Sequence, residues 1–114
     1  MALTINRRGV VGIAWTDARH GPPQADCYDI YFTASLDGGA SFLPEQRISD
    51  VTSCPTTAAN GAIGRIFAPS GGDYIGMVAD GEGRFRLLWT DARDGPFRLW
   101  TTDVEVTGEV RRRQ

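Results

Sequence analysis

The sequence predicts an all-β protein made of two consecutive four-stranded antiparallel meanders. Short runs rich in Val, Ile, Phe, Tyr and Trp suit a pleated surface, and Gly, Pro, Asn or Asp punctuate the gaps between them. No stretch shows the apolar spacing of an amphipathic helix. The segment GIAWTDARHGP at 12–22 also returns as RLLWTDARDGP at 86–96, so that Trp15, Asp17 and Arg19 recur as Trp89, Asp91 and Arg93 at a constant offset of 74 residues.

Each copy sits in the same order of elements. In the first unit, ALTIN gives a strand over Ala2–Asn6, and a turn around Gly9 leads to VVGIAW and a strand over Val10–Thr16. A loop then precedes YDIYFTA, with a strand over Asp29–Ala34, and Gln46–Ser49 closes the unit. In the second, strands are predicted over Tyr74–Ala79, Arg84–Thr90 and Phe97–Val106, with a short last strand near Val110. The division is therefore a first unit at 1–50, a crossover loop at 51–72 and a second unit at 73–114. A repeated four-stranded meander is the unit of a β-propeller.

Composition excludes several functions. The 114 residues are 41% hydrophobic with a formal charge of −2, in the range of one globular domain. Twelve basic against 14 acidic residues give no electrostatic case for nucleic acid, and the VRRRQ end reads as a solvated terminus. No apolar run approaches the ~20 residues of a membrane span, and MALTINRRGV lacks the apolar core of a secretory leader, so the chain is expected to remain where it is made. Two cysteines and a single histidine, His20, do not make a zinc site within one chain, and no other metal or cofactor is called for. Cys27 and Cys54 lie in loop-like surroundings, where they either clip the crossover loop as a disulfide or stay reduced.

SLDGGASF at 35–42 raises three readings. A helix-loop-helix calcium loop needs carboxylates at alternating positions, and only Asp37 qualifies. A phosphate cradle needs a helix start after the glycines, where Pro44 stands instead. A hairpin turn accounts for every residue: Ser35 and Asp37 bond to backbone groups, Gly38 and Gly39 take positive φ, and Phe42 folds back as an apolar plug.

This stretch resembles the Asp box of the BNR repeat, Ser-x-Asp-x-Gly-x-Thr-Trp, with Ser35, Asp37 and Gly39 at the box positions and Ser41 and Phe42 standing for Thr and Trp. CYDIYFTASLDGGASF and GDYIGMVADGEGRFRLLWTDARDG likewise resemble secreted bacterial sialidase-like proteins, over nearly the whole chain. The resemblance implies blades of a six-bladed propeller, an Asp box joining the third and fourth strands of a blade, and extracellular parent proteins. The second unit departs from it, because TTDVEVTGEV carries no Asp box.

In an antiparallel blade the loops TDARHGPPQAD, TDARDGP and SGGDYIG share one edge, opposite the Asp box. That edge offers Asp17, Arg19, Asp73, Tyr74, Asp91 and Arg93, types that suit an acidic sugar: arginine forks bind a carboxylate, and a tyrosine acts at an anomeric carbon. Sialidase-like enzymes grip the substrate with three arginines beside a tyrosine–glutamate pair and an aspartate acid/base. That set cannot be completed here, because Glu45, Glu82, Glu105 and Glu109 fall outside these loops. Tyr74 is the catalytic candidate, and Asp17, Arg19, Asp73, Asp91 and Arg93 are the ligand candidates. The repetition of WTDAR also favours a structural device, with each Asp–Arg pair tying down the loop that follows.

Two blades leave two sheet faces exposed, so the chain is either part of a longer protein or associates into a ring. Three copies make six blades, and a homotrimer is expected. Three functions stay open: a sialidase-like module binding carbohydrate or another small polar ligand without catalysis, a glycoside hydrolase fragment or oligomeric enzyme, and a structural interaction scaffold.

Overall fold

The computed structural model describes residues 1–21, 27–55 and 75–113. They form two four-stranded antiparallel sheets, each in simple up-and-down order. The first holds β1 (Ala2–Ile5), β2 (Val11–Asp17), β3 (Asp29–Ser35) and β4 (Gln46–Arg47). The second holds β5 (Gly76–Ala79), β6 (Phe85–Asp91), β7 (Arg98–Val106) and β8 (Val110–Arg113). No helix occurs among the described residues. The 74-residue offset extends to whole strands, since β1 and β2 map onto β5 and β6 from end to end.

The repeat also reproduces the first turn. Asn6 Oδ1 accepts the amides of Arg8 and Val10 at 2.9 and 3.0 Å, and Asp80 Oδ1 accepts those of Glu82 and Arg84 at 2.9 and 3.0 Å. Gly9 and Gly83 close these turns at φ of 80° and 87°, which a residue with a Cβ adopts only with strain. The two turns differ in their first side chain. Asn6 has an amide, which donates to the Gly83 carbonyl at 2.7 Å and joins the first sheet to the second.

β4 is two residues shorter than the expected Gln46–Ser49. At its end the Ser49 hydroxyl takes the Ile30 amide at 3.0 Å, while the amides of Ile48 and Ser49 converge on the Ile30 carbonyl at 2.7 and 3.4 Å. A side chain thus replaces the next rung of the ladder. Beyond β4 the chain returns to β3, where Tyr28 and Ser53 exchange two backbone bonds of 2.8 and 2.9 Å, and Cys27 is joined to Cys54.

Strand alternation sets the packing. One face of the first sheet carries Ala2, Thr4, Gly12, Ala14, Ile30, Phe32 and Ala34, and it lies on the face of the second sheet that carries Met77, Ala79, Phe85, Leu87, Trp89 and Val104. Phe32 and Phe85 meet at the centre with ring centroids 5.4 Å apart, and both are fully buried. The sheets stack in the same sense, with β1 beside β5 and β3 near β8. Tyr28 Oη to the Thr90 carbonyl (2.6 Å), the Ala92 amide to Ser53 Oγ (2.8 Å) and Arg112 to the Ile48 carbonyl (2.8 Å) complete the joint.

Candidate functional site

The two WTDAR segments end β2 and β6, so topology brings them to one edge. Residues two apart on a strand share a face, which places each indole above the carboxylate that follows. Trp15 Nε1 donates to Asp17 Oδ2 at 3.1 Å, and Trp89 Nε1 to Asp91 Oδ2 at 3.2 Å. The chain then turns, and the same carboxylate accepts the backbone amide two residues on, Arg19 at 2.9 Å and Arg93 at 2.8 Å.

Each arginine folds back over its own aspartate. Arg19 forms a fork with Asp17 at 2.9 and 2.7 Å and reaches Glu45 at 2.5 Å; Arg93 binds Asp91 at 2.9 Å and Asp50 at 2.6 Å. Below each guanidinium lies an aromatic ring from the next strand, Tyr31 at 4.0 Å under Arg19 and Trp100 at 3.8 Å under Arg93. These rings are cross-strand partners of Trp15 and Trp89. The result is the same clasp twice, with an indole, a carboxylate, a guanidinium and a second aromatic ring closing the loop after the strand.

Electrostatics match this geometry. Hydrogen bonds from Arg19 hold Asp17 well below the usual carboxylate range, and bonds to Asp17 and Glu45 raise Arg19 above its own. Burial opposes the charge on Arg93, but its bonds to Asp91 and Asp50 outweigh burial and raise it as well. The clasps differ in exposure: the Arg93 side chain is 8% accessible and lies in the joint between sheets, whereas Arg19 is 42% accessible on the open side.

Of the predicted ligand residues, Asp17, Arg19, Asp91 and Arg93 are therefore brought together in pairs and engaged with each other. Asp73 and Tyr74 lie outside the described residues. Glu45, which lies outside the WTDAR loops in sequence, nevertheless reaches Arg19. Tyr31 Oη is hydrogen-bonded to His20 Nε2, and the two rings stack at 5.9 Å.

On the opposite edge the SLDGGASF turn is held by its own side chains. Asp37 accepts from Ser35 Oγ (2.8 Å), the Ser41 amide (2.8 Å) and Ser41 Oγ (2.5 Å), and Ser35 Oγ accepts the Gly39 amide (2.8 Å). These bonds, those from Ser41 foremost, lower the Asp37 carboxyl to about 2. Gly38 and Gly39 have φ of 73° and 97°. Phe42 is not the expected plug, being 49% exposed. Its neighbour Leu43 packs against the core instead, fixed by its amide to the Ala34 carbonyl (2.8 Å) and by Thr33 Oγ1 to its own carbonyl (2.7 Å).

Sequence reasoning missed a buried carboxylate and a cleft. Asp29, 1% exposed, accepts from Arg47, Ser49 and Thr52 at 2.8–3.0 Å and fastens the segment after β4 to β3. Beside the second clasp lies a cleft of about 200 Å³ lined by Ile48, Asp50, Trp89, Trp100, Thr102 and Arg112. No group of residues suited to a metal ion occurs among the described residues. Compared with known protein families, curated proteins and solved structures, the chain matches none.

Proposed function

We propose that the chain is a pair of sialidase-like β-propeller blades acting as a non-catalytic module that binds a carbohydrate or another small polar ligand. The observation that carries this is the cleft beside the second clasp. The half-buried ring of Trp100 supplies an apolar surface for the C–H side of a sugar ring, while around it Asp50, held by Arg93, and Arg112, held by the Ile48 carbonyl, keep further acceptor and donor capacity for hydroxyls or a carboxylate. The clasps support binding over turnover, because their carboxylates and guanidinia hold each other and are poorly placed to act on a substrate. The same reading assigns SLDGGASF as an Asp box and takes three copies, a cyclic trimer, to complete six blades.

The test is a glycan array followed by calorimetry on the full chain. Binding that is lost in Trp100→Ala, in a protein that keeps its circular dichroism spectrum, is the expected result. An array with no bound glycan, or binding indifferent to Trp100, would sink the assignment. Turnover of a fluorogenic sialic-acid glycoside, abolished by Tyr74→Phe, would replace it with the glycosidase reading.

A further inference from the structure

We propose that the two uncovered sheet faces are the two halves of one interface, and that a second copy of this chain, set head to tail, covers them. The joint inside the chain is polar with respect to the repeat. The second sheet enters it with Met77, Ala79, Phe85, Leu87 and Trp89. Their counterparts 74 residues earlier are Leu3, Ile5, Val11, Ile13 and Trp15, all apolar, and by strand alternation they lie on the face of the first sheet that points away from the joint. Leu3 and Ile5 are 59% and 60% exposed there, where Met77 and Ala79 are half-buried, and Val11 and Ile13 are half-buried where Phe85 and Leu87 are fully buried.

The other half obeys the same rule. The first sheet enters the joint with Ala2, Thr4, Gly12 and Ala14, whose counterparts Gly76, Val78, Arg86 and Leu88 face outward from the second sheet. Val78 is 61% and Leu88 43% exposed, and around them lies a hollow of about 230 Å³ lined also by Gly76, Arg86 and Thr101. Inside the chain the matching surface is hollow too, because Gly12 leaves room for the rings of Phe85 and Phe32. Arg86 is already paired with Asp103 at 2.8 Å, so covering it does not strand a lone charge.

An interface between unlike faces is heterologous, so each added copy leaves the same two faces free until a ring closes. A two-fold dimer would instead join like faces, which the internal joint does not do. This inference rests on the blade reading and adds to it which faces mate.

The experiment is native mass spectrometry with sedimentation velocity on the full chain, on Ile5→Asp, on Leu88→Asp and on an equimolar mixture of the two variants. The native chain is expected to assemble, and each variant alone to associate roughly 100-fold more weakly, since a carboxylate would be buried in an apolar contact. Mixing leaves one intact face on each partner, so heterodimers form and nothing larger. A native chain that stays monomeric, variants that assemble as the native chain does, or a mixture that remains monomeric overturns the proposal. Three copies that persist in both variants sink the face pairing and spare the trimer; assemblies lost in both variants but not numbering three do the reverse. Unchanged near-ultraviolet circular dichroism shows that each variant is folded.

Discussion

Gly12→Ala is expected to destabilise the protein by about 1–3 kcal/mol. A methyl group at Gly12 would lie 2.8 Å from Cε1 of Phe85 and 3.0 Å from Cε2 and Cζ of Phe32. Carbon atoms in good contact sit at about 3.5–4.0 Å, so three contacts are too short at once. Neither ring can swing away, because both are fully buried and lean on each other. Intrinsic preference pulls the opposite way, favouring Ala over Gly in a strand by roughly 0.5–1 kcal/mol, which makes the sign of the effect decisive. Urea unfolding followed by tryptophan fluorescence, with the disulfide oxidised and the chain dilute, should show a lower midpoint at unchanged slope. Gly76→Ala is the control, since its new carbon would meet Leu88 Cβ at an ordinary 3.5 Å. Introducing Phe85→Leu should remove most of the added penalty of Gly12→Ala, a coupling that a double-mutant cycle reads. A Gly12→Ala protein as stable as the native one would show that the sheets do not meet through this face.

Lowering the pH tests the SLDGGASF turn: the folded Asp37 carboxyl is lowered from 3.8 to about 2, so its contribution is complete above 3.8 and is lost as the pH falls through about 2. Carbon NMR titration of Asp37 should place its midpoint there, and Asp37→Asn should flatten this part of the stability profile. Arg93→Met should cost about 3 kcal/mol in chemical unfolding, because it leaves the buried Asp91 without its ion pair; Arg19→Met, on the open side, should cost clearly less, and equal losses would refute the difference between the clasps. Replacing Cys27 and Cys54 together by Ser should cost about 3–4 kcal/mol by loop-closure entropy for a separation of 27 residues, read from the shift in thermal midpoint.

The repeat made β1, β2, β5 and β6 legible, because the same WTDAR segment and a similar order of strands and glycine turns recur at a fixed distance. The correspondence slips after WTDAR. The first loop is longer than the second, so the aromatic rings under the arginines, Tyr31 and Trp100, are 69 residues apart instead of 74 and do not align by eye. The acidic partners Glu45 and Asp50 also come from unlike positions, one before β4 and one after it. Asp29 reads as the first residue of a strand; its burial depends on Arg47, Ser49 and Thr52 folding back, a contact set between distant residues. Phe42 went astray for a local reason, since either Phe42 or Leu43 has the apolar character to turn inward and the bond from the Leu43 amide to the Ala34 carbonyl selects the latter. The cleft was hidden because its walls come from distant segments, Ile48 and Asp50 after β4 and Trp89, Trp100 and Arg112 on the second sheet.

The unlike faces that meet between the two sheets bear on how such a chain can arise. A gene segment encoding one meander, copied once in tandem, gives a chain in which the back of the first copy meets the front of the second. Later divergence can then proceed unevenly, with large side chains accumulating on one front and glycine or alanine on the opposing back, as Phe85 and Gly12 illustrate. Under that history, lengthening the array is easier for evolution than reversing its direction.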